Sequence, residues 1–391
     1  MKKRTITRVL CVLLAALFAF SLVGCAGGSL HASPKAKKAV ASAGGVDITY
    51  GELYYLAKNK QAELEGEALG EEALRAELES FVWDNLLTHS HALISVAKDY
   101  GISPDKGRVA ENVQAHIEDL IANESTFAGD REAYAASLDA AYMTEAYLRS
   151  YLATENYLAT EVILEMIERG ELDGSDEAAL AVIGNRDAFI RTVHVYIAKN
   201  NGVYSESRNR LNAQNIAARL AAISDPNARY MEMREAIKNY DNEQKDTTGD
   251  GFYFARGEME KVYEDAAFAL VNDYDASGVV ETESGFYIIM RMPLDQTYVN
   301  RNLDVLKSSI YFSKLNALVD ARYTEMQADF ARTRLGEKLD LVALPEISAA
   351  GGETLYTLTV VLCIGVAGGA VVAAGVILWR KKRPALKERK K

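Results

Sequence analysis

Histidine can act in several kinds of functional site, because its imidazole serves as a metal ligand and as an acid–base group near neutral pH. The sequence contains five histidines. His89 and His91 stand two apart in a segment with helical periodicity, so their side chains do not face each other and no metal pair is predicted. Two others are isolated and are predicted to lie on the surface. His194 differs, because it lies in an alternating segment, 191–197, whose pattern is typical of a β-strand.

Several other kinds of site are excluded by the sequence. No glycine-rich phosphate loop follows a predicted strand, and no Gly-x-Ser-x-Gly elbow is present. The three cysteines, Cys11, Cys25 and Cys363, leave no pair in the globular part, so a disulfide framework and a cysteine-based zinc site are excluded. The net charge is −11 although both ends are basic, so the middle is strongly acidic, which argues against nucleic-acid binding. We predict neither a metal nor a cofactor.

The elements that could position chemistry are concentrated in 248–290. This segment contains a Gly-Asp-Gly turn, an aromatic pair, a short helical run, a second turn and a closing strand. The parts are, in that order, 249–251, Tyr253 and Phe254, 256–270 with Tyr263, Ala267 and Leu270 on one face, 275–278, and 286–290. In the strand, Phe286, Ile288 and Met290 alternate with Tyr287 and Ile289.

This order of segments resembles the second half of a parvulin-type peptidyl-prolyl isomerase domain. The family pattern is a Gly-Gly-Asp-Leu-Gly-like turn, then Gly-x-Met, then Phe-Glu-x-Ala-x-Phe-x-Leu, and a strand Ser-Gly-x-His-Ile-Ile. Here the corresponding segments are 249–251, 257–259, 263–270 and 284–289. The resemblance implies a small antiparallel sheet flanked by helices. It also identifies 191–197 as the first strand of that sheet.

The family places a methionine and an aromatic residue around the proline ring of the substrate. By this resemblance, Met259 and Tyr263 would bind the ring and Phe268 would support them. The alternative is plain core packing, since methionine and aromatic residues at helical spacing are common in cores. Tyrosine in place of the family's phenylalanine adds a hydroxyl group that must find a partner.

The family's polar positions are only partly kept. The resemblance assigns the first histidine to His194 and the hydroxyl pair to Thr282 and Ser284. The second histidine position holds Tyr287. The aspartate or cysteine position holds Asn242, with Asp241 beside it, and the leucine of the turn is replaced by Gly251. Activity is therefore an open question, because a tyrosine can replace a hydrogen bond of histidine but not its protonation.

Prolyl isomerisation breaks and forms no covalent bond. The planar amide resists rotation by about 18–20 kcal/mol because the C–N bond has double-bond character. A catalyst has to hold the proline ring in an apolar pocket and favour the twisted amide over the planar one. Removing the amide from water weakens the charge-separated planar form. No nucleophile and no cofactor are needed.

The region before the parvulin-like segment is predicted to be helical. Thr49 and Glu52 have the spacing of a capping box. A single long helix is predicted over 71–100, a further helix after Ser103 and Pro104, and two more over 134–169, with Thr144 as a cap. The opening residues resemble those of extracytoplasmic foldases of the PrsA and SurA type, whose pattern is Gly-x-x-Ile-Thr-x-x-Glu-Leu. The matching residues are Gly45, Ile48, Thr49, Glu52 and Leu53. In such foldases a C-terminal helix completes the helical domain, and 303–334 is predicted to do so.

Both ends of the chain predict attachment to a membrane. A basic start and an apolar run precede Leu-Val-Gly-Cys, which resembles a bacterial lipobox with lipidation at Cys25; an ordinary signal peptide with an incidental cysteine is the alternative. Residues 355–379 carry no charge and are long enough to span a bilayer, and the basic residues after them predict a cytoplasmic tail. Gly365 and Gly369 have the spacing of a helix-packing motif, although a plain single span fits as well.

The predicted fold class is α+β, with a helical chaperone domain, an inserted parvulin-like domain and a C-terminal transmembrane helix. The predicted parts are a signal peptide (1–24), a tether (25–45), a helical domain (46–185), the parvulin-like domain (186–295), a completing helix (296–336), a linker (337–354), the span (355–379) and a tail (380–391). The predicted function is a membrane-anchored extracytoplasmic foldase that isomerises prolyl bonds in secreted polypeptides. The alternatives are a catalytically inactive peptide-binding chaperone and a structural partner of a membrane complex.

Overall fold

The computed structural model describes residues 34–67, 69–242 and 249–344. Cys25, the segment 355–379 with its two glycines, and the basic tail lie outside these residues. None of the helices described within them is both long and apolar enough to cross a membrane. The fold is α+β with small antiparallel sheets, as the sequence predicts. The chain divides into two compact units, described here as the first unit (34–166 and 318–344) and the second unit (167–317).

Helices make up most of the first unit. They are α1 (Tyr50–Leu64), α2 (Glu71–Asn85), α3 (His89–Asp99), α4 (Gly107–Ala122), α5 (Arg131–Ala140), α6 (Glu145–Ala153) and α7 (Ala159–Glu168, whose last two residues belong to the second unit), with one π-helical turn at Thr154–Leu158. The predicted cap at Thr144 is confirmed, since its hydroxyl accepts the N–H of Tyr147 at 3.0 Å. The predicted capping box is also confirmed, with Thr49 and Glu52 bonded in both directions.

Two helix predictions in this unit are wrong. The single helix over 71–100 is broken at 86–88, where Thr88 begins α3 by capping it together with His91. The hydrophobic periodicity runs through the break, which conceals it in the sequence. Ser103 and Pro104 do not start a helix, because α4 begins at Gly107, after a turn in which the Ser103 hydroxyl bonds to Asp105.

A three-stranded antiparallel sheet closes the first unit. Strands β1 (Ala39–Ala43) and β2 (Val46–Thr49) form a hairpin, and a short strand near the C-terminal end, called β7 (Ala331–Arg332), pairs with the other edge of β1. The predicted tether over 25–45 is therefore wrong at Ala39–Ala43, a strand whose Val40 is fully buried. Small residues are typical of a linker in sequence, but here they allow close packing. A Cβ on Gly44, within the predicted tether, would lie 2.6 Å from Cγ of Met326.

The second unit contains a four-stranded antiparallel sheet with helices around it. Its strands are β3 (Phe189–Ala198), β4 (Phe252–Ala255), β5 (Val280–Glu281) and β6 (Gly285–Met292), in the spatial order β4-β3-β6-β5. Its helices are α8 (Asp176–Gly184), α9 (Glu206–Ala222), α10 (Pro226–Tyr240), α11 (Lys261–Phe268), α12 (Gln296–Arg301) and the first part of α13 (Leu303–Asp329).

The sheet of the second unit has two differently built faces. On one face, Phe286, Ile288 and Met290 of β6 pack with α9 and α10. On the other, Ile289 and Tyr287 pack with α11. The alternation predicted for this strand is thus confirmed. We call the face toward α11 the site face, because it carries His194 and Tyr263.

Helix α13 belongs to both units, and the predicted boundaries at 185/186 and 295/296 differ from those of the units. The Tyr311 hydroxyl donates to the Asp173 carbonyl at 3.1 Å, and the Lys307 ammonium lies 2.7 Å from Asp176. These contacts tie the segment before α8 to the first part of α13 within the second unit. From Leu318 onward the chain belongs to the first unit.

Candidate active site

The Gly-Asp-Gly turn sets the approach of β4 to β3. Gly251 has a φ of +75°, and a Cβ on it would lie 2.5 Å from the Thr192 carbonyl oxygen. Only glycine combines that backbone conformation with so close an approach. The turn thereby presents Phe252 and Phe254 to the site face, while the Tyr253 ring stacks on Tyr298 at 4.2 Å.

A chain of three buried polar groups crosses the site face. The Tyr263 hydroxyl of α11 lies 2.9 Å from Nδ1 of His194 and 3.1 Å from the hydroxyl of Thr192. His194 is 6% exposed, Tyr263 is 2% exposed and Thr192 is fully buried. The partner that burial requires for the Tyr263 hydroxyl is therefore found in β3. The phenol has one proton, so it donates to one neighbour and accepts from the other, and both tautomers of His194 can be accommodated.

Aromatic rings hold the His194 imidazole in place. Phe252 stacks on it with centroids 4.5 Å apart and planes 6° from parallel. Tyr263 and Tyr287 meet it at nearly right angles, at 5.5 Å and 5.0 Å. Aromatic pairs in these geometries contribute beyond the area that they bury. Imidazole rotation is thus restrained by rings as well as by the hydrogen bond to Tyr263.

Phe252 and Thr192 are functional candidates that the sequence analysis missed. Both could have been found from strand alternation, since Phe252 shares a face with Phe254, and Thr192 shares a face with His194. The change of the family's leucine to Gly251 also gains a structural explanation. The position beside it, Phe252, supplies a large apolar side chain next to the imidazole.

Half-buried apolar side chains surround the buried polar chain. They are Phe252, Met259, Ala266, Phe268, Leu270 and Tyr287. The structure thus brings all three predicted ring-binding residues, Met259, Tyr263 and Phe268, to the site face. A half-buried apolar rim with few convergent polar groups is typical of a small-ligand or side-chain site.

The predicted polar residues Asp241 and Asn242 contact the backbone of β3 beyond the end of β4. The Asp241 carboxylate accepts the N–H of Tyr196 at 2.8 Å. Asn242 donates its N–H to the Tyr196 carbonyl at 2.9 Å and accepts the N–H of Ala198 through its side chain at 3.1 Å. Together they bond to backbone groups of β3 that β4 does not reach, as a neighbouring strand would.

Thr282 and Ser284 lie in the turn between β5 and β6. The Thr282 hydroxyl accepts the N–H of Gly285 and lies 3.3 Å from the Ser284 hydroxyl. Thr282 is 5% exposed, so its hydroxyl is committed to closing this turn. The carbonyl of Ser284 accepts the N–H of Lys199 at 2.9 Å, which joins the turn to the end of β3.

Glu258 and Glu281, two acidic side chains of the second unit, have pKa values shifted in opposite directions. Burial raises the pKa of Glu258, an effect that hydrogen bonds from Ser309 and Ala255 partly offset and the nearby Glu264 reinforces. Hydrogen bonds from Arg210 and Lys199 lower the pKa of Glu281 to about 2. No group of three His, Cys, Asp or Glu residues that could hold a metal ion occurs in the described part of the chain.

Two protein-family models match successive parts of the chain. A family model described as a SurA-like N-terminal domain matches residues 1–189, and one described as a PPIC-type PPIase domain matches residues 183–292. The peptidyl-prolyl cis-trans isomerase ssp-1 of Neurospora crassa is 52% identical over 44 residues, which are 11% of this chain. The peptidyl-prolyl cis-trans isomerase pin1 of Schizosaccharomyces pombe is 63% identical over 38 residues, which are 10% of this chain. The matches cover only 24% and 21% of those two relatives.

Solved structures give matches at low identity. The peptidylprolyl isomerase PrsA of Bacillus anthracis is 14% identical, with 60% of this chain and 94% of that chain covered and a TM-score of 0.29. The foldase protein PrsA of Streptococcus pneumoniae is 18% identical, with 73% and 91% covered and a TM-score of 0.30. The two family models, which between them span residues 1–292, identify this chain as one that joins a SurA-like N-terminal domain to a PPIC-type peptidyl-prolyl isomerase domain.

Proposed function

We propose that this protein is a peptidyl-prolyl cis-trans isomerase that acts on extended polypeptide segments at the site face of its second unit. The observation that carries the proposal is the buried chain Thr192–Tyr263–His194, surrounded by a half-buried apolar rim. A prolyl substrate needs the same combination, an apolar surface for the ring and a few fixed polar groups near the amide.

The proposed mechanism uses desolvation and fixed polar groups. Met259 and Phe268 bind the proline ring, and Tyr287 and Phe252 exclude water from the amide beside it. Leaving water destabilises the charge-separated planar amide relative to the twisted one. Tyr263 and the surrounding rings restrain His194, so the polar chain Thr192–Tyr263–His194 is fixed before the substrate binds. Thr282 and Ser284 fix the turn that leads into β6, while Asp241 and Asn242 hold the backbone of β3 in register.

A second candidate function is a chaperone that binds proline-containing segments without isomerising them. It is favoured by one specific observation. The side chains at the two altered family positions are engaged structurally, with Asn242 on the β3 backbone and the Tyr287 ring against those of His194 and Tyr196. Binding would then depend on the apolar rim alone, and His194 would be dispensable.

The experiment that separates the two functions is a prolyl isomerisation assay on the full-length protein in detergent. Exchange NMR of a short Xaa-Pro peptide measures the interconversion rate directly, without a coupled protease. We expect acceleration above the uncatalysed rate, and its loss in Met259→Ala and His194→Ala. A wild-type rate equal to the uncatalysed rate would exclude the isomerase function. Binding that persists in His194→Ala would then support the chaperone.

We also propose that the protein is a foldase anchored at the outer side of a bacterial cell membrane and that its clients are secreted polypeptides. The proposal is supported by the lipobox-like sequence ending at Cys25 and by the uncharged segment 355–379 followed by a basic tail. Gly365 and Gly369 would allow a partner helix to pack closely. Mass spectrometry of the N-terminal peptide tests the lipid. Protease protection of the tail in intact cells tests the orientation, and cleavage of the tail from outside would exclude it.

A further inference from the structure

The turn at 256–259 connects β4 to α11 and ends at the proposed ring-binding residue Met259. Gly257 in this turn has a φ of +89°. Its N–H donates to the Glu264 carboxylate at 2.5 Å. A turn of this kind leaves carbonyl groups without partners in its own strand or helix, so its conformation depends on donors from elsewhere.

Those donors come from one face of α13. The Ser313 hydroxyl donates to the Arg256 carbonyl, and the Asn316 side-chain amide donates to the Gly257 carbonyl at 3.2 Å. One turn earlier, the Ser309 hydroxyl donates to the Glu258 carboxylate. The spacings of four and three residues place all three donors on one side of the helix.

The backbones of the turn and of α13 are close together. A Cβ on Gly257 would lie 3.2 Å from the Ser313 carbonyl oxygen, so any larger residue would push the turn away from the helix. Glu258 links the turn to β4 as well, because its carboxylate accepts the N–H of Ala255 at 2.5 Å. The turn is therefore held from two sides, by the last residue of β4 and by α13.

The PPIC-type match ends at residue 292, and α13 starts at Leu303. We infer that Ser309, Ser313 and Asn316 of α13 are positioning residues for Met259, so that the proposed ring-binding site is completed by a helix outside the PPIC-type match. The inference rests on the proposed function in assigning ring binding to Met259. The positioning itself rests on the contacts of the 256–259 turn alone.

The test compares full-length Ser309→Ala/Ser313→Ala with a matched control, Ser308→Ala. Ser308 is the neighbouring serine on the same helix, and its hydroxyl donates to Asp304 of α13 itself at 2.9 Å. The first readout is the Met259 methyl signal in protein labelled with ¹³C-methyl methionine, assigned by its loss in Met259→Leu. The second readout is the split between KM and kcat for a prolyl peptide.

We expect the double variant to shift the Met259 methyl signal and to raise KM about fivefold, since a lost hydrogen bond of ordinary strength changes an equilibrium by about that factor. We expect kcat to change by less than about twofold, because the lost bonds lie outside the reacting amide. Ser308→Ala should match the wild type in both readouts. An unchanged methyl signal in the double variant would overturn the positioning, and a shifted signal with unchanged KM would overturn its link to substrate binding. If the wild type proves inactive, the proposed isomerase fails and the methyl signal still decides the positioning.

Discussion

Replacing Tyr263 with phenylalanine removes one oxygen atom from the centre of the site face and leaves the ring packing intact. The hydroxyl bonds to His194 at 2.9 Å and to Thr192 at 3.1 Å, and the three residues are between 0% and 6% exposed. Water cannot readily replace the lost partner. An unpaired buried polar group costs about 1–3 kcal/mol, so we expect Tyr263→Phe to lower the free energy of unfolding of the second unit by about 2 kcal/mol.

The loss should be visible at His194 as well as in stability. Without the phenol, Nδ1 of His194 loses a bond that restrains the ring, and we expect a changed ¹⁵N chemical shift. We expect kcat/KM to be about tenfold lower, which corresponds to the loss of one ordinary hydrogen bond of about 1.4 kcal/mol. Stability is best followed by hydrogen exchange of β3 amides, which reports the second unit by itself.

Tyr253→Phe provides the control for this substitution. Tyr253 lies in the neighbouring strand, and its hydroxyl accepts only a long hydrogen bond, 3.4 Å from the N–H of Asp295. We expect a cost below about 0.5 kcal/mol there, as for an ordinary half-exposed position. The reasoning is refuted if both variants have equal stability and if the His194 ring signals of Tyr263→Phe match those of the wild type.

Three further predictions concern the backbone and pH. Gly251→Ala should destabilise the second unit by about 3 kcal/mol, because its Cβ would lie 2.5 Å from a carbonyl oxygen at a φ of +75°. The control Gly278→Ala, whose Cβ meets no atom within 4 Å, should cost less than about 1 kcal/mol. Urea unfolding measures both free energies, and equal costs would contradict the close approach. Burial would raise the pKa of Glu52, but the hydrogen bond and charge of His91, with bonds from Thr49, lower it overall. The ionised acid therefore stabilises the first unit above pH 4.5, and this contribution is lost as the pH falls below that value. Glu52→Ala should cost about 1–2 kcal/mol at pH 7 and less at pH 3, and a pH-independent cost would refute the linkage. The raised pKa of Glu258 has the opposite effect: its contribution to stability is greatest below pH 4.5 and is lost as the pH rises through the folded-state pKa. Glu258→Gln should therefore weaken the fall of the free energy of unfolding with pH. An unchanged slope of that free energy against pH would argue against this prediction.

The sequence predicts the site face better than it predicts the polar groups upon it. The resemblance to the parvulin pattern predicts that Met259, Tyr263 and Phe268 share one site, and the structure has all three on the site face. The sequence does not predict the bond between Tyr263 and His194, because it joins α11 to β3 and depends on how closely these two elements pack. Burial of a tyrosine in a phenylalanine position predicts only that some partner exists.

The contacts of Asp241 and Asn242 with the β3 backbone depend on where β4 ends, which no local sequence pattern encodes. Their place in the catalytic set stays a prediction. The break between α2 and α3 depends on Thr88 and His91 capping a new helix within one continuous hydrophobic stripe. Local propensity predicts elements better than it predicts their ends, which depend on capping side chains and on neighbouring elements.

The pairing of β1 with β7 has a consequence for the order in which the protein folds. Ser42 pairs with Ala331, so the outer edge of β1 stays open until almost all of the described chain has been made. An open edge of small apolar residues invites pairing with other chains. The described residues of the second unit, 167–317, are by contrast continuous in sequence. A chain that emerges N-terminus first would therefore complete its isomerase-type unit before its helical unit, and the unit that begins first would finish last.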